Sequence, residues 1–289
     1  MTPNSHGTGP TALRILLGSQ LRRLREQRGI TRDEAGYSIR GSESKISRME
    51  LGRVGFKERD VADLLTLYGV VDDEARTAMF SLVRQANQPG WWHRFTDVLP
   101  GWFQAYVGLE EAASRIRTYE VQFVPGLLQT EDYTRAVIRA GSPELAADEI
   151  DRRVSLRMAR QHVLTRQGHP LILWAVLDEG ALRRPIGGRE VMRDQLAHLI
   201  HVMKYSNVTI QVMPFGAGGH AADGGAFSIL RFPEQDLPDL AYTEQLAGAL
   251  YLDKREDVDR YSLAMERLCA SSTTPDETAD LIDKIAREI

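Results

Sequence analysis

The first part of the chain has the hydrophobic spacing of an amphipathic helix. Leu17, Leu21 and Leu24 stand at positions i, i+4 and i+7, which places them on one helical face. Arginines at positions 22, 23, 25 and 28 surround this apolar stripe. Gly29 follows, and a glycine at this point predicts the end of the helix. The pattern therefore predicts a basic first helix.

A short second helix is expected after Thr31, because Thr31 and Glu34 have the spacing of a capping box. The dipeptide Arg40-Gly41 then predicts a tight turn. Ser42 is placed to cap a third helix. Two short helices joined by such a turn form a helix-turn-helix, whose second helix enters the DNA major groove.

The third predicted helix turns polar side chains away from its inward residues, Ile46 and Met49. Arg and Lys can donate to guanine, Ser can reach bases or phosphates, and Glu43 can accept from cytosine or repel other sequences. Arg53, just past this helix, suits a phosphate. The candidate DNA contacts are Thr31, Arg32, Ser42, Glu43, Ser44, Lys45, Ser47, Arg48 and Arg53.

The ungapped stretch TRDEAGYSIRGSESKISRMELGR resembles the Cro/lambda-repressor (XRE) family. Its "I-S" pair begins at Ile46, and its "E-x-G" ending runs from Glu50 to Gly52. Gly36 replaces the usual alanine at the close helix crossing, and Arg40 stands where the family has its turn glycine. The resemblance implies a DNA-binding transcriptional regulator. The alternative is a helical bundle of the same shape that serves protein contact alone.

Two further amphipathic helices are expected after the motif, and Asp72 is placed to cap the second of them. The sequence Gln88-Pro-Gly then interrupts the helical pattern. We therefore expect a disordered segment at residues 1–10, an all-helical domain at 11–88 and a second domain at 91–285.

Aromatic residues cluster directly after this boundary. Three of the four tryptophans, Trp91, Trp92 and Trp102, lie within twelve residues. Such a cluster can form an aromatic cage for a ligand or a surface on which bases stack. The pattern favours a third interpretation, a buried seam between the two domains, and we keep these tryptophans as ligand or partner candidates.

The second domain begins with helical patterns and turns to strands later. The segment from Leu109 is expected to remain helical until Val124-Pro125-Gly126 breaks it. Apolar or alternating runs then predict strands at 171–177, 208–213, 226–232, 240–245 and 249–253, with helices closing the chain. The expected fold class is α+β: an all-α helix-turn-helix domain followed by a mixed α/β domain with a small sheet.

Charge divides the chain into two parts. Residues 1–70 hold twelve Lys or Arg and eight Asp or Glu, a net charge of +4. The remaining residues have a net charge of −8, so the whole chain has a net charge of −4. Cys269 is the single cysteine, which excludes an internal disulfide and suits a reducing compartment. Neither a signal peptide nor a membrane-spanning run is visible. We expect a cytoplasmic protein that reaches the nucleoid through DNA binding.

Catalytic patterns are weak. His198 and His201 share one helical face, but no HExxH motif accompanies them, and ordinary histidines are the favoured interpretation. Asp178 and Glu179 follow a buried strand, where either catalytic carboxylates or a helix cap can stand, and the cap is favoured. We expect no enzyme activity, no cofactor and no metal. An enzyme tethered to DNA remains a third hypothesis.

Most of the second domain resembles the DUF5753 domain, carried by segments such as WWHRFTDVLPGWFQAYVGLEEAASRIRTYEVQFVPGLLQTEDYTRAVI and NVTIQVMPFGAGGHAADGGAFSILRFPE. This domain follows an XRE motif in WhiJ-like regulators. The resemblance implies a small DUF397-type partner protein, and hence an alternative in which an antitoxin-like protein mainly sequesters that partner. A helix-turn-helix that covers one half-site also predicts a homodimer. A small-molecule effector is the other partner considered.

The glycine-rich stretch FGAGGHAADGGAF, residues 215–227, lies between two predicted strands. It lacks the lysine and the following helix of a phosphate-binding loop. A mobile connection that contacts a partner is favoured over a small-molecule site, with His220 and Asp223 as the candidate contacts.

Overall fold

The computed structural model describes residues 10–233 and 238–289. Apart from Pro10, the N-terminal segment expected to be disordered lies outside the described residues. The described chain divides into two compact units. The first comprises residues 10–96 and 100–112, and the second comprises residues 97–99, 113–233 and 238–289.

The first unit is entirely helical in its described part. Its helices are α1 (Pro10–Gln27), α2 (Arg32–Ser38), α3 (Glu43–Glu50), α4 (Glu58–Leu67), α5 (Asp73–Ala86) and α6 (Gly101–Ala112), with a 3-10 turn at Trp91–Phe95. Leu17 and Leu21 of α1 pack with Ile46 of α3 and Leu64 of α4 in one apolar core. The hydrophobic stripe of α1 predicted from the sequence is therefore the side on which the other helices assemble.

Local signals set the helix ends as expected. Gly29 has a φ of +66°, and the Ile30 amide donates to the Arg25 carbonyl, 3.1 Å away, which closes α1 with a left-handed cap. Asp72 caps α5 by accepting from the Ala75 amide at 2.7 Å. These caps are satisfied by residues within a few positions in sequence, which is why sequence reasoning found them.

The second unit contains one six-stranded sheet with the order β3-β2-β1-β4-β5-β6. The strands are β1 (Arg115–Glu120), β2 (Ile172–Asp178), β3 (Val208–Met213), β4 (Phe227–Arg231), β5 (Leu240–Gln245) and β6 (Gly248–Leu252). Strands β1, β2 and β3 run parallel to one another. On the other side of β1 the pairing is antiparallel: β4 pairs with β1, β5 with β4, and β6 with β5. The mixed α+β class is confirmed.

Helices join and cover these strands. They are α7 (Glu131–Gly141), α8 (Ala147–Arg160), α9 (Glu179–Arg183), α10 (Arg189–Val202), α11 (Arg255–Ser271) and α12 (Pro275–Glu288). Met265 and Leu268 of α11 pack on one face of the sheet against Tyr119, Val176 and other buried residues. No helix in the described ranges is long and apolar enough to cross a membrane.

Strand β1 corrects the sequence analysis, which expected residues 115–120 to continue a helix. The preceding helix ends at Ala112, and β1 lies in the middle of the sheet between β2 and β4. Ile116, Thr118 and Tyr119 are buried there, whereas Arg115 at the start of the strand is exposed and Arg117 is half-buried. The pairing partners of β1 lie about 55 and 110 residues later in the chain, so no local signal reports them.

Candidate DNA-binding interface

Helix α2 begins with the predicted capping box. The Thr31 hydroxyl accepts from the Glu34 amide at 3.2 Å, and the Glu34 carboxylate accepts from the Thr31 amide at 2.7 Å. The Thr31 hydroxyl also donates to this carboxylate at 2.8 Å, and the hydrogen bonds from the Thr31 amide and hydroxyl lower the pKa of the Glu34 carboxyl, so Glu34 stays charged. Thr31 therefore fixes the start of α2 while its side chain remains exposed.

The turn between α2 and α3 is tight. The Gly41 amide donates to the Gly36 carbonyl at 2.8 Å, and a Cβ on Gly36 would lie 2.8 Å from the Ser42 carbonyl carbon. Arg40 has a φ of +52°, and it is the single non-glycine residue with positive φ in the ranges the structure describes. The two departures from the family pattern thus meet at one crossing, where Gly36 allows close contact and Arg40 adopts a glycine-like conformation.

Helix α3 presents a short polar row. Ser42 caps it by accepting from the Lys45 amide at 3.3 Å, while Ile46 and Met49 are buried. Helix α3 has eight residues, and the diameter of an α-helix with its side chains, about 10–12 Å, fits the width of the major groove. The side chains left outward on the helix are Glu43, Ser44 and Arg48, which are exposed, and Ser47, which is half-buried.

Glu50 is buried at the centre of the motif with two arginines. Its Oε1 accepts from Arg25 Nε at 2.5 Å, and its Oε2 accepts from Arg25 Nη2 at 3.1 Å and from Arg32 Nε at 3.0 Å. Burial opposes the charge of Arg25, but the hydrogen bonds and negative charge of Glu50 raise its pKa overall. Glu50 therefore ties α1, α2 and α3 together, and the predicted DNA contact Arg32 belongs to this network in the free protein.

Lys45 is also engaged within the protein. Its Nζ lies 2.6 Å from Oδ2 of Asp60 on α4, and both side chains are partly buried. The aliphatic stem of Lys45 lies over Gly41, where an added Cβ would be 2.8 Å from Lys45 Cδ. Asp60 takes one of the three N–H donors of the Lys45 ammonium, so a contact of Lys45 with DNA either shares the ammonium with Asp60 or replaces this ion pair. By contrast, Arg48 bonds through Nε to the Ser44 carbonyl at 3.3 Å and is exposed.

The backbone at the end of α3 packs directly against the backbone of α1, because a glycine of α1 lies at the contact. The Arg53 amide donates to the Arg48 carbonyl at 2.9 Å, and Gly52 has a φ of +65°. A Cβ on Gly18 of α1 would lie 2.5 Å from the Glu50 carbonyl oxygen. Arg53, the candidate phosphate contact, follows α3 and is half-buried.

Three residues of the motif were missed in the sequence analysis: Arg25, Asp60 and Gly18. An isolated glycine within an amphipathic helix was the available signal for Gly18, because such a glycine commonly marks a close packing contact. The partners of Glu50 and Lys45 are set by the folding of distant segments, and no sequence spacing identifies them.

Comparison with known protein families agrees with this geometry. Residues 16–79 match the family model of a helix-turn-helix domain, and residues 103–284 match the model of DUF5753, a domain of unknown function. The chain belongs to the DUF5753 family. Among curated proteins and among solved structures, no match was found. With its helix-turn-helix domain, this DUF5753 protein is a DNA-binding regulator.

The aromatic cluster before the DUF5753 match packs within the first unit. Trp91 Nε1 donates to the Glu111 carboxylate at 3.0 Å, and its ring meets Trp92 edge-on at 6.0 Å. Trp92 is buried, and Trp102 meets the Phe103 ring at 5.5 Å. Trp91 and Trp92 therefore have packing partners of their own in this unit. The role of the cluster as a seam or ligand surface stays a prediction.

The glycine loop of the DUF5753 domain is tied to the sheet through His220. His220 Nε2 lies 3.0 Å from the Tyr119 hydroxyl, and that hydroxyl donates to Asp178 Oδ2 at 3.4 Å. Burial and the charge of Asp178 raise the pKa of Tyr119, so it remains a phenol donor. Asp178 also caps α9 through the Gly180 amide at 2.8 Å, as predicted, while Asp223 is exposed.

The histidine pair of α10, His198 and His201, was the other weak candidate for a metal site. Burial, followed by the nearby His201, lowers the pKa of His198, which favours its neutral form. The His201 ring meets Tyr205 edge-on at 5.9 Å. Within residues 10–233 and 238–289, no group of three or more His, Cys, Asp or Glu side chains is placed to hold a metal ion.

Proposed function

We propose that this DUF5753 protein is a sequence-specific transcriptional regulator that acts through binding and not through catalysis. The observation that carries the proposal is the outward row of exposed Glu43, Ser44 and Arg48 with half-buried Ser47, on a helix whose orientation is fixed by ion pairs of the buried Glu50 with Arg25 and Arg32. Chromosomal DNA is the expected partner, which places the protein in the cytoplasm.

Each side chain of the row has a proposed role. Arg48 donates to guanine, the serines bond to base edges or phosphates, and Glu43 accepts from cytosine. Thr31, exposed at the start of α2, faces a phosphate, and Arg53 contacts another. Arg32 supports α2 through Glu50, and Lys45 joins the interface on release from Asp60.

Two copies are proposed to act on one operator. One α3 reads only a half-site, and a two-fold dimer presents two such helices about one DNA turn apart. The DUF5753 domain is proposed to dimerise, or to bind a small protein or ligand that changes operator affinity.

A second candidate is an antitoxin-like role, in which the protein mainly sequesters a small DUF397-type partner and uses DNA binding for autoregulation. The observation that favours it is the charge division: a head of +4 precedes a body of −8, which suits protein contact better than DNA. Copurification of the protein encoded next to this gene, from cells with and without the operator, separates the two candidates.

The experiment for DNA recognition starts with a genome-wide map of bound sites, followed by gel shifts on the recovered operator. Arg48→Glu should weaken operator binding by at least about tenfold, because it removes a base contact and adds a repulsive charge. Arg59→Glu on α4 is the matched control, since Arg59 is also exposed and undergoes the same charge change. Equal retention by both variants would refute α3 as the recognition helix.

A further inference from the structure

Helix α11 covers only part of one face of the sheet. Tyr119, Val176 and Leu268 are buried where α11 packs on the carboxyl ends of the parallel strands. Nearer the start of β2, on the same face, Ile172 is 44% exposed and Trp174 is 37% exposed. A large aromatic and a branched aliphatic side chain therefore lie partly exposed beside α11 on this face of the sheet.

Strand β1 adds two basic residues to this opening. In the parallel register Arg115 is the partner of Ile172, and Arg117 is the partner of Trp174. Residues in register on adjacent strands point to the same side of the sheet. Neither arginine has an ion pair with any residue the structure describes, whereas Arg231, in register with Arg115, is paired with Asp239 at 2.7 Å. We call Arg115, Arg117, Ile172 and Trp174 the Trp174 patch.

The central side chain of the patch is held in place. Trp174 Nε1 donates to Gln211 Oε1 at 2.8 Å, and Gln211 Nε2 donates to the Thr273 carbonyl at 2.8 Å. The indole thus has its polar atom satisfied while part of its ring faces outward. A fixed aromatic side chain loses little conformational entropy on binding, and Trp and Arg are the residues most enriched at energetic centres of protein interfaces.

We propose that the Trp174 patch binds an acidic segment of another protein that inserts an apolar side chain between the two arginines and the indole. Charge complementarity selects this partner, because Arg115 and Arg117, which form no ion pair with any described residue, adjoin an apolar surface. The inference rests on the proposed partner-binding function of the DUF5753 domain and specifies its surface.

Two other occupants fit the charges less well. A second copy bound two-fold through the patch would bring the arginines of both patches into one interface without adding an acidic side chain from the patch, which is repulsive. At the patch a nucleic acid would meet two arginines that have no ion pair within the described residues, on a body with a net charge of −8.

The test uses the full-length protein in its native cells, with the photo-crosslinking amino acid p-benzoylphenylalanine in place of Ile172. The expected result is an adduct with a different protein, mapped by mass spectrometry to a segment rich in Asp and Glu. The double variant Arg115→Glu, Arg117→Glu should lower the adduct at least fivefold. Arg189→Glu with Arg193→Glu, at two exposed arginines of α10, is the matched control and should leave the yield unchanged.

Several outcomes would overturn the inference: an adduct only with a second copy, an adduct removed by nuclease, equal loss in both charge variants, or a yield no higher than with the probe at Leu263. Leu263 is a fair background position because it is 49% exposed on α11. Gel shifts of the same variants separate the two proposals. Retained operator binding without an adduct refutes the patch alone, whereas failed operator binding by the unmodified protein refutes the proposed function.

Discussion

Lys45 of the recognition helix and Asp60 of α4 form an ion pair of 2.6 Å within the free protein. The cation that the sequence places at the centre of the DNA-reading face is therefore already compensated. A contact of Lys45 with DNA, as proposed above, therefore either shares the ammonium with Asp60 or exchanges the carboxylate for a phosphate or a base.

This exchange predicts that Asp60→Asn strengthens DNA binding. The substitution removes a negative charge near the interface and frees the Lys45 ammonium, so affinity should rise severalfold at low salt. The slope of log affinity against log salt should become steeper by about 0.9 if Lys45 then binds one phosphate. Asp63→Asn, the same change on the same helix without a described ion pair, is the control for simple charge removal. An equal effect of both variants would contradict a specific role for the pair.

The buried carboxylate of Glu50 should be essential for the fold of the first unit. Glu50→Gln leaves the buried Arg25 with the exposed Glu26, at 3.4 Å, in place of its buried counter-charge, and breaking one side of a buried ion pair costs about 3–5 kcal/mol. Chemical denaturation of the full chain, followed by tryptophan fluorescence, would measure the loss. Glu43→Gln makes the same chemical change at an exposed position of the same helix and should shift stability by less than about 0.5 kcal/mol. Similar curves for the two variants would exclude the proposed network.

The close contact between α1 and α3 predicts an unusual response to a glycine substitution. In a helix, Gly→Ala normally stabilises by about 1 kcal/mol. At Gly18 the new methyl group would lie 2.5 Å from two backbone carbonyl oxygens of α3, so Gly18→Ala should instead lower the melting temperature and weaken operator binding. Gly101→Ala, at the open start of α6, is the control and should be neutral or stabilising. A stabilised Gly18 variant would show that α1 and α3 are farther apart.

A pH dependence is expected from Glu120 at the end of β1. Burial, followed by the charge of Glu244, raises the pKa of Glu120 to about 8. Because the folded state holds this proton more tightly than the unfolded chain, stability should fall as pH rises from about 4.5 towards 8. Glu120→Gln should remove part of this fall, which melting curves between pH 5 and 8.5 would reveal. An unchanged pH profile would mean that Glu120 is ionised in the folded protein.

The sequence alone determined the local parts of the DNA-binding motif. The capping box of Thr31 and Glu34, the cap at Ser42 and the glycine ends of α1 and α3 involve groups within five residues of each other. Their spacing is therefore written in the chain itself. The exposed row from Glu43 to Arg48 followed from the same helical periodicity.

Only the tertiary structure decided which charged residues pair and where β1 lies. Glu50 meets an arginine 25 positions earlier, and Lys45 meets an aspartate 15 positions later. Strand β1 pairs with β2 and β4, whose residues lie far along the chain. Without those partners, the residues of β1 are equally compatible with a helix. Strand pairing and ion-pair choice are set by contacts between distant segments, and local periodicity carries no record of them.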